Sequence, residues 1–470
     1  MNEPQTVRNA RKAAHTIAVA LTLVVCRTLS AETLIVKPGQ SIQAAVTRAV
    51  PGDRIEVEPG VYSETVFIDK DNITLHGIVR NGDWPILDGN NKLDNGVLTS
   101  GHGVTIEYLW IRHFKGNGLM TQGSNNYRIL HNVVEGPCFY AIFPEYGKNG
   151  LIAYNVASKS ESSAIYVGMS DNVDVRYNEA FGGFAGIEAE NSHNILIEGN
   201  HVHDNSSGIN AAILPGLPVK TSNNLIIRRN VIENNNVPNN VPPGAVAVLF
   251  PSGLGVLVLG TDRTIIEDNL IVNNDSAGIL FAESSSMDPS PDEKIHPFPD
   301  NGQVLRNLFV NNGTKPRGVI GDMLDAAGLK QGVDVMSTGK GRGNCIADRD
   351  IVRTLGTRRF EECPVGATSN AITSLKTREP VGSVAYNPEQ KGRLVYLAVC
   401  SGCHTWDSRL IGPPMITVKA LYGKDVAGLA SWIAKPTHKR TDYPEMPAQN
   451  YLSPEIRLSV AKYILNELSH

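Results

Sequence analysis

A short cysteine and histidine motif near the end of the chain carries the clearest chemical signal. The motif is CSGCH, with Cys400 and Cys403 three residues apart and His404 directly after them. On one helical turn, two such thiols can both add to the vinyl groups of a haem, which leaves the histidine beneath the iron as its proximal ligand. A zinc half-site and a redox-active CxxC pair are the alternatives, but neither requires His404, and the sequence has no second CxxC pair to complete a zinc site. We therefore predict one covalently bound haem c.

An electron-transfer haem also needs a ligand opposite the histidine, and a thioether in that place favours reduced iron. Met415 lies 11 residues after His404, which is too close for it to reach the far face of the haem easily. Met446 lies 42 residues after the same histidine. We predict that His404 and Met446 are the two iron ligands, and that Met415 packs in the core beside the haem.

Residues 389–470 resemble a class I cytochrome c. The matched positions are Gly392 and Tyr396, the CSGCH motif, the segments IGPPM and EMP that contain the two methionines, and LSPEIRLSVAKYILNEL at 452–468. The resemblance implies a small all-α domain over residues 386–470 with helices before and after the haem. It also implies that the carbonyl of Pro413 accepts a hydrogen bond from the second ring nitrogen of His404.

The middle of the chain is a repeat. An apolar pair, one or two polar residues and an asparagine recur, with the asparagines at 132, 155, 178, 200, 230, 269 and 307. A second apolar run keeps Ile142, Ile165, Ile187, Ile209 and Ile279 in one register. Such periodicity predicts stacked coils joined by parallel strands, with the isoleucines in one inward column. Asparagine tolerates left-handed corners and can bond to its equivalent one coil away, so we interpret the asparagines as a structural ladder at the corners.

The repeat resembles the right-handed parallel β-helices of the pectate-lyase-like superfamily. At its entrance, SIQAAVTRAV (41–50) looks like the capping helix of that superfamily, and PGDRIEVEPGVYSE (51–64) and DNITLHG (71–77) look like its first coils. The resemblance covers residues 32–364 and implies a solenoid of about 12 coils. The two resemblances together predict a multidomain protein: an all-β solenoid at 32–364, a linker at 365–385 and a small all-α cytochrome c domain at 386–470.

The solenoid also offers polar groups that could do chemistry. Residues that alternate with the inward isoleucines should point outward, and they are Phe143, Glu145, Tyr166, Glu188, Glu190 and Asn210. Glu188 and Glu190 could serve as acid and base beside a sugar, and His203, in the cluster with His201 and Asp204, could abstract a proton. A solvated coil face is the simpler interpretation and the one we favour. The sequence shows neither an Asp-rich calcium motif nor repeated basic residues for uronate carboxylates.

The N-terminus and the cysteines indicate an oxidising compartment. Arg8, Arg11 and Lys12 precede a 14-residue apolar run, and small residues follow it, as in a secretory signal, which we place at residues 1–31. The run is too short to span a membrane, so we expect a periplasmic or secreted protein, with an uncleaved anchor as the alternative. Cys345 and Cys363, 18 residues apart, are predicted to form a disulfide at the end of the repeat. We expect Cys138 to be buried as a small apolar residue.

The charge balance of 43 Lys and Arg against 47 Asp and Glu argues against nucleic-acid binding. The leading hypothesis is an exported c-type cytochrome that transfers one electron between redox partners such as a periplasmic dehydrogenase and another cytochrome. The β-helix would then be a scaffold or a docking surface for a glycan or a protein. The alternative is a carbohydrate-active β-helix enzyme, similar to a lyase or an epimerase, with an appended cytochrome domain.

Overall fold

The computed structural model describes residues 31–136, 139–241, 245–286, 292–364, 387–438 and 440–468. The predicted linker and Cys138 lie outside these residues, as does the predicted signal segment except for Ala31.

Residues 33–362 form a solenoid of three parallel sheets, and each full coil contributes a strand to each sheet. Sheet 1 contains, among the described residues, Thr33–Val36, Arg54–Val57, Thr74–Gly77, Thr105–Glu107, Arg128–Leu130, Lys148–Ala153, Asp171–Arg176, His193–Glu198, Asn223–Arg228, Ile265–Glu267, Gln303–Leu305, Cys345–Ile346 and Glu361–Glu362. Sheet 2 contains Val66–Ile68, Asn95–Thr99, Asn117–Gln122, Tyr140–Glu145, Ser163–Gly168, Ala185–Glu190, Ser207–Ala212, Leu254–Leu259, Ala277–Ala282, Val333–Ser337 and Thr354–Leu355. Sheet 3 contains Gly60–Tyr62, Pro85–Asp88, Trp110–Arg112, Val133–Glu135, Val156–Ser158, Glu179–Phe181, His201–His203, Val231–Glu233, Leu270–Val272 and Leu308–Val310.

The predicted inward column is confirmed in sheet 2. Ile142 pairs with Ile165, which pairs with Ile187, and the column continues through Ile209. All four side chains are fully buried in the core that runs along the axis of the solenoid. The pairing is parallel, so equivalent residues of successive coils lie directly above one another.

The predicted capping helix closes the first coil. Helix α1 spans Ile42–Arg48, and the side chain of Ser41 caps it by accepting a hydrogen bond from the Ala44 amide. Ile42, Ala45 and Val46 are buried against the first strands. The amphipathic spacing of SIQAAVTRAV therefore covers the open end of the apolar core.

The asparagine ladder is present, but its members do not occupy the left-handed corners. The Nδ2 of Asn155 donates to Oδ1 of Asn178 at 2.9 Å and to the backbone carbonyl of Ile129 at 2.9 Å. The positive φ belongs instead to the preceding residue, at 60° for Tyr154 and 54° for Tyr177. The corner residue turns its side chain to solvent, which lets the asparagine bury its amide and pair with the next coil. The prediction that these asparagines occupy the left-handed corners was wrong.

A second ladder runs along another edge of the solenoid. Asn205, Asn235, Asn274 and Asn312 are buried, and each of the first three donates from Nδ2 to Oδ1 of the next, at 3.0 to 3.1 Å. Two buried amide columns therefore hold neighbouring coils together in addition to the strand pairing.

The predicted disulfide joins Cys345 and Cys363, whose Cα atoms lie 4.9 Å apart. Both cysteines are buried with Leu305 in a small apolar cluster at the last coils. A short helix, α2 (Gly318–Ala326), and two 3₁₀ turns, Val246–Leu249 and Ser284–Ser286, lie in insertions between coils.

The C-terminal segment is helical. It contains α3 (Pro388–Val395), α4 (Met415–Tyr422), α5 (Val426–Ala434) and α6 (Pro454–Lys462), and single π-helical turns, Tyr396–Cys400 and Tyr463–Glu467, extend α3 and α6. Its own core includes Tyr396, Met415, Leu429, Val460 and Ile464. Helices α3 and α6 pack closely at Gly392, where a Cβ would lie 2.4 Å from the Ser459 carbonyl oxygen.

The helices pack on the outward face of sheet 2. The ring of Tyr451 lies 5.0 Å from that of Phe67, and Nε2 of Gln122 donates to the Tyr451 hydroxyl at 2.5 Å. The Ala448 amide donates to Oδ2 of Asp94 at 3.0 Å. One face of the solenoid is therefore an interface. Within the described part of the chain, no helix is both long and apolar enough to cross a membrane.

We predict that Asn178→Ala lowers the free energy of unfolding by about 3 kcal/mol, because it removes three buried hydrogen bonds: those from the backbone amide and Nδ2 of Asn155 to Asn178, and that from Asn178 to the Ile152 carbonyl. Asn240→Ala, at an exposed position, should change it by less than about 0.5 kcal/mol. Denaturant unfolding of both variants measures the difference. Equal midpoints would show that the ladder does not stabilise the solenoid.

Candidate functional site

The CSGCH motif forms one tight turn at the end of the first C-terminal helix. The amides of Cys403 and His404 both donate to the carbonyl of Cys400, at 3.1 and 3.0 Å. The two cysteines are not bonded to each other. Burial raises the pKa of both thiols to about 12. Redox-active CxxC pairs have the opposite property, a thiolate stabilised by its surroundings.

The imidazole of His404 is held in one orientation. Its Nδ1 lies 2.8 Å from the carbonyl oxygen of Pro413, which fixes Nδ1 as the protonated nitrogen and leaves Nε2 as the one that can bind a metal. Gly412 lies against the ring, where a Cβ would be 2.3 Å from Cε1. A side chain at position 412 would displace the imidazole. Burial also lowers the pKa of His404, although the Pro413 carbonyl opposes that shift, so the ring is neutral.

The two methionines occupy different surroundings. Met415 is buried at the start of α4, in the core of the helical segment. Met446 is half-buried in the loop before α6. The β-helix holds that loop on both sides of Met446: Lys115 lies 3.7 Å from Glu445, and Asp94 accepts from the Ala448 amide. Met415 has the packing role that the sequence predicts, and the ligand role of Met446 stays a prediction.

Glu188 and Glu190 lie on the outward face of sheet 2, as predicted, but that face is not solvated. Both side chains are only 4% exposed, because the C-terminal helices and the insertion after residue 212 cover them. The Tyr166 hydroxyl donates to Oε1 of Glu190 at 2.7 Å, and the Ser163 hydroxyl donates to Glu188. The interpretation of these carboxyl groups as a solvated surface was wrong.

Burial changes the protonation of this acidic cluster. It raises the pKa of Glu188 to about 7, and burial together with the charge of Glu188 raises the pKa of Glu190 to about 8. Burial, and then the charge of Glu190, raises the pKa of Glu145 well above its usual range. Neither carboxyl oxygen of Glu145 has a hydrogen-bond partner among the described residues. At least part of the cluster is therefore protonated near neutral pH.

The acidic cluster lies directly beneath the CSGCH turn. A side chain beginning at Gly402 would meet Oε1 of Glu145 at 3.0 Å. A small cavity of about 30 Å³ lies between the two parts of the protein, and its lining includes Tyr140, Tyr166 and Glu190 from the β-helix and Gly402 and Leu410 from the helical segment. The two sets of candidate residues, which are more than 200 positions apart in sequence, thus meet at one interface.

His203 does not belong to this site. It lies on sheet 3, where its Nε2 is 3.2 Å from Glu179 and its Nδ1 is 2.8 Å from Asp204, whereas Glu188 and Glu190 lie on sheet 2. His203 and the two glutamates therefore belong to different faces of the solenoid.

Sequence reasoning did not identify Tyr140, Gly402 or Leu410 as site residues. Tyr140 begins the strand that carries Glu145, and its ring packs 4.8 Å from that of Tyr166. Leu410 accepts a hydrogen bond from the Val246 amide at 2.9 Å and so ties the helical segment to the insertion. No local pattern signals such contacts, since each depends on how the helices pack on the solenoid.

The model of the right-handed β-helix region matches residues 95–214 and 212–351, more than half of the chain. The chain belongs to the right-handed β-helix family. The matches end at residue 351, and no comparison identifies the C-terminal helices as a cytochrome c. A comparison with curated proteins found no similar sequence.

Several solved structures resemble this β-helix protein. The A-module of mannuronan C-5 epimerase AlgE6 from Azotobacter vinelandii is 14% identical, with a TM-score of 0.47 over 65% of this chain and 81% of that chain. An alginate lyase from Paenibacillus is 13% identical, with a TM-score of 0.39 over 61% and 98% of the two chains. DFA-IIIase from Arthrobacter chlorophenolicus is 13% identical, with a TM-score of 0.38 over 70% and 89%.

We predict that the stability of this β-helix protein falls as the pH rises from about 4.5 to about 8. The folded-state pKa values of Glu188 and Glu190 are raised above the usual 4.5, so the folded protein binds more protons in that window and loses stability as they leave. For each pH unit in this window, Glu190→Gln should reduce the loss of unfolding free energy by up to about 1.4 kcal/mol. Glu58→Gln, on the first coils, should leave the pH profile unchanged.

Denaturant unfolding at several pH values measures this profile. A wild-type stability that rises over the same window would show that the cluster is ionised in the folded protein.

Proposed function

We propose that this β-helix protein transfers single electrons through one haem c held by its C-terminal helices. The observation that carries the proposal is the hydrogen bond between His404 and the Pro413 carbonyl, with Gly412 pressed against the same ring. This arrangement fixes a neutral imidazole with Nε2 available, directly after two unbonded cysteines on one helical turn. The donor set fits a covalently attached haem.

Each residue has a distinct role in the proposal. Cys400 and Cys403 would attach the haem, and His404 and Met446 would bind its iron. Pro413 holds the histidine ring, and Gly412 leaves room for it. The haem would supply a site that holds one electron. The protein contributes the orientation of the imidazole and a loop that the β-helix braces on both sides of Met446.

The residues around the CSGCH turn would exclude water from one side of the haem. Leu410 and Ile411 follow the motif and, together with Phe139 and Tyr140, line the cavity against the β-helix. Low polarity near a haem favours its less charged, reduced form, whereas ionised Glu188 or Glu190 in the same cavity lining would favour the oxidised form. We infer that the β-helix therefore acts as a wall of the haem site as well as a scaffold.

We also propose that the protein is exported and exchanges electrons with other redox proteins outside the cytoplasm. The Cys345–Cys363 disulfide supports an oxidising compartment, where such bonds persist. Outside the cytoplasm, the covalently attached haem would exchange electrons with redox partners such as a periplasmic dehydrogenase or another cytochrome.

We predict that the full chain, produced with its N-terminal segment in a host that attaches c-type haem, keeps one haem after complete denaturation. A variant with Cys400→Ser and Cys403→Ser should lose it, because its hydroxyls form no thioether bonds. Ser401→Ala, within the same motif, should keep the haem. The mass of the denatured chain and its haem absorbance measure attachment. Haem that acidified organic solvent extracts from the wild-type protein would overturn the proposal.

A second candidate function is acid and base chemistry on a carbohydrate by the β-helix. The observation that favours it is the pair of Glu188 and Glu190, both with raised pKa values, beside the Tyr166 hydroxyl on one face of the solenoid. A polymer would reach this pair only if the covering helices moved away, because both side chains are buried.

We predict for this second candidate that the full chain cleaves or epimerises a polyuronate, and that Glu188→Gln and Glu190→Gln each reduce the rate at least about a hundredfold. Glu58→Gln is the matched control. New unsaturated chain ends, or inversion at C5 seen by proton magnetic resonance, measure the activity. A wild-type chain without activity on polyuronates, or glutamine variants that retain it, would exclude this role.

A further inference from the structure

A cluster of histidine and carboxylate side chains lies on sheet 3, on a different face of the solenoid from the CSGCH turn. In the strand His201–His203, the two histidines flank the fully buried Val202, so both imidazoles point outward. Glu179 lies opposite His201 on the preceding coil, and Glu233 lies opposite His203 on the following coil. The parallel register therefore brings four ligand-type side chains from three coils onto one small area.

The imidazoles are already close to their carboxylate neighbours. Nε2 of His203 lies 3.2 Å from Oε1 of Glu179, and Nε2 of His201 lies 2.9 Å from Oε1 of Glu233. Glu179, His201 and His203 each offer one ligand atom, and these three atoms lie within 4.8 Å of one another. A single ion could contact all three with small rotations of the side chains.

The ring of His203 is fixed from three directions. Phe181 stacks on the ring with its centroid 4.9 Å away, and the centroid of His201 lies 4.2 Å away. Oδ2 of Asp204 lies 2.8 Å from Nδ1, on the side of the ring opposite Nε2, which faces Glu179. A carboxylate behind a ligating histidine is the arrangement that orients imidazoles in metal sites.

The charges of the cluster are unbalanced. Glu179, Asp204 and Glu233 bring three carboxylates to two imidazoles. We propose that this cluster binds a divalent first-row transition-metal ion, with Zn²⁺ as the best match, through Glu179, His201 and His203. Two imidazole nitrogens and a carboxylate are typical of zinc sites with one open position, whereas Ca²⁺ takes six to eight oxygen ligands. Glu233 and Asp204 orient the two rings.

The site would have a function separate from electron transfer. Its ligands come from two successive coils and its supporting carboxylate Glu233 from a third, so a bound ion would link three coils of the solenoid. An ion that binds only the folded chain raises its stability. The open position would also let the ion bind an anionic group of a ligand at the surface.

The test is a titration of the chelator-treated full chain with Zn²⁺ against a chromophoric competitor. The wild-type protein should bind one more equivalent than a variant with His201→Gln and His203→Gln, or bind it at least about tenfold more tightly. The matched control is His113→Gln, because His113 forms a similar pair with Asp88 at 3.1 Å beside sheet 3 but has no second histidine there. Ca²⁺ should not compete.

A second measurement keeps the test decisive if the double variant does not fold. Glu179→Gln keeps both rings and should still weaken Zn²⁺ binding and reduce the rise in melting temperature that Zn²⁺ produces in the wild-type protein. Equal Zn²⁺ binding by the wild type and Glu179→Gln, or an equal loss in His113→Gln, would overturn the proposal. Neither result depends on haem, so the outcome is independent of the electron-transfer proposal.

Discussion

The contact between the outward face of sheet 2 and the C-terminal helices is the interaction on which the rest of the structure depends. A solenoid buries only its inward face by stacking, and its outward face normally meets water. Here the helices cover that face and remove Glu145, Glu188 and Glu190 from solvent. Carboxyl groups in such a place must be hydrogen-bonded or protonated. Tyr166 donates a hydrogen bond to Glu190, and Ser163 donates one to Glu188. The raised pKa values of these two carboxyl groups also favour their protonated forms.

The same contact shapes the proposed haem site. The loop that carries Met446 is bound to Asp94 and approaches Lys115, and Tyr451 bonds to Gln122, so residues of the solenoid brace the segment that carries the proposed second ligand. The CSGCH turn faces the acidic cluster across a small cavity. The proposed electron-transfer site and the candidate acid and base site therefore lie on the two sides of one interface. We expect a substitution at one site to change the properties of the other.

The sequence predicted what depends on periodic or local patterns. The register of the isoleucines, the capping helix after Ser41, and the Cys345–Cys363 bond all follow from spacing within a coil or between neighbouring coils. Helix α6 likewise begins at a local signal, since Ser453 caps it and Pro454 is its first residue.

The parts that sequence reasoning missed depend on distant contacts or on which of two adjacent residues takes a turn. Glu188 and Glu190 look like surface residues in any single coil, because alternation gives their direction but not what covers them. The corner conformation was assigned to Asn155 instead of Tyr154, since asparagine is the commoner left-handed residue and nothing in the repeat shows that its amide is needed inside. The second ladder, from Asn205 to Asn312, follows the first at a constant distance of five residues, but only one asparagine of each coil was assigned to a ladder.

The most direct test of the account is the absorption and magnetic circular dichroism of the oxidised full chain in the far red, followed by exposure of the reduced chain to carbon monoxide. The account predicts a low-spin haem with the weak sulfur-to-iron band of methionine ligation and no binding of carbon monoxide, because His404 and Met446 would both bind the iron. A protein without haem, or a haem that lacks the sulfur band and binds carbon monoxide, would contradict it.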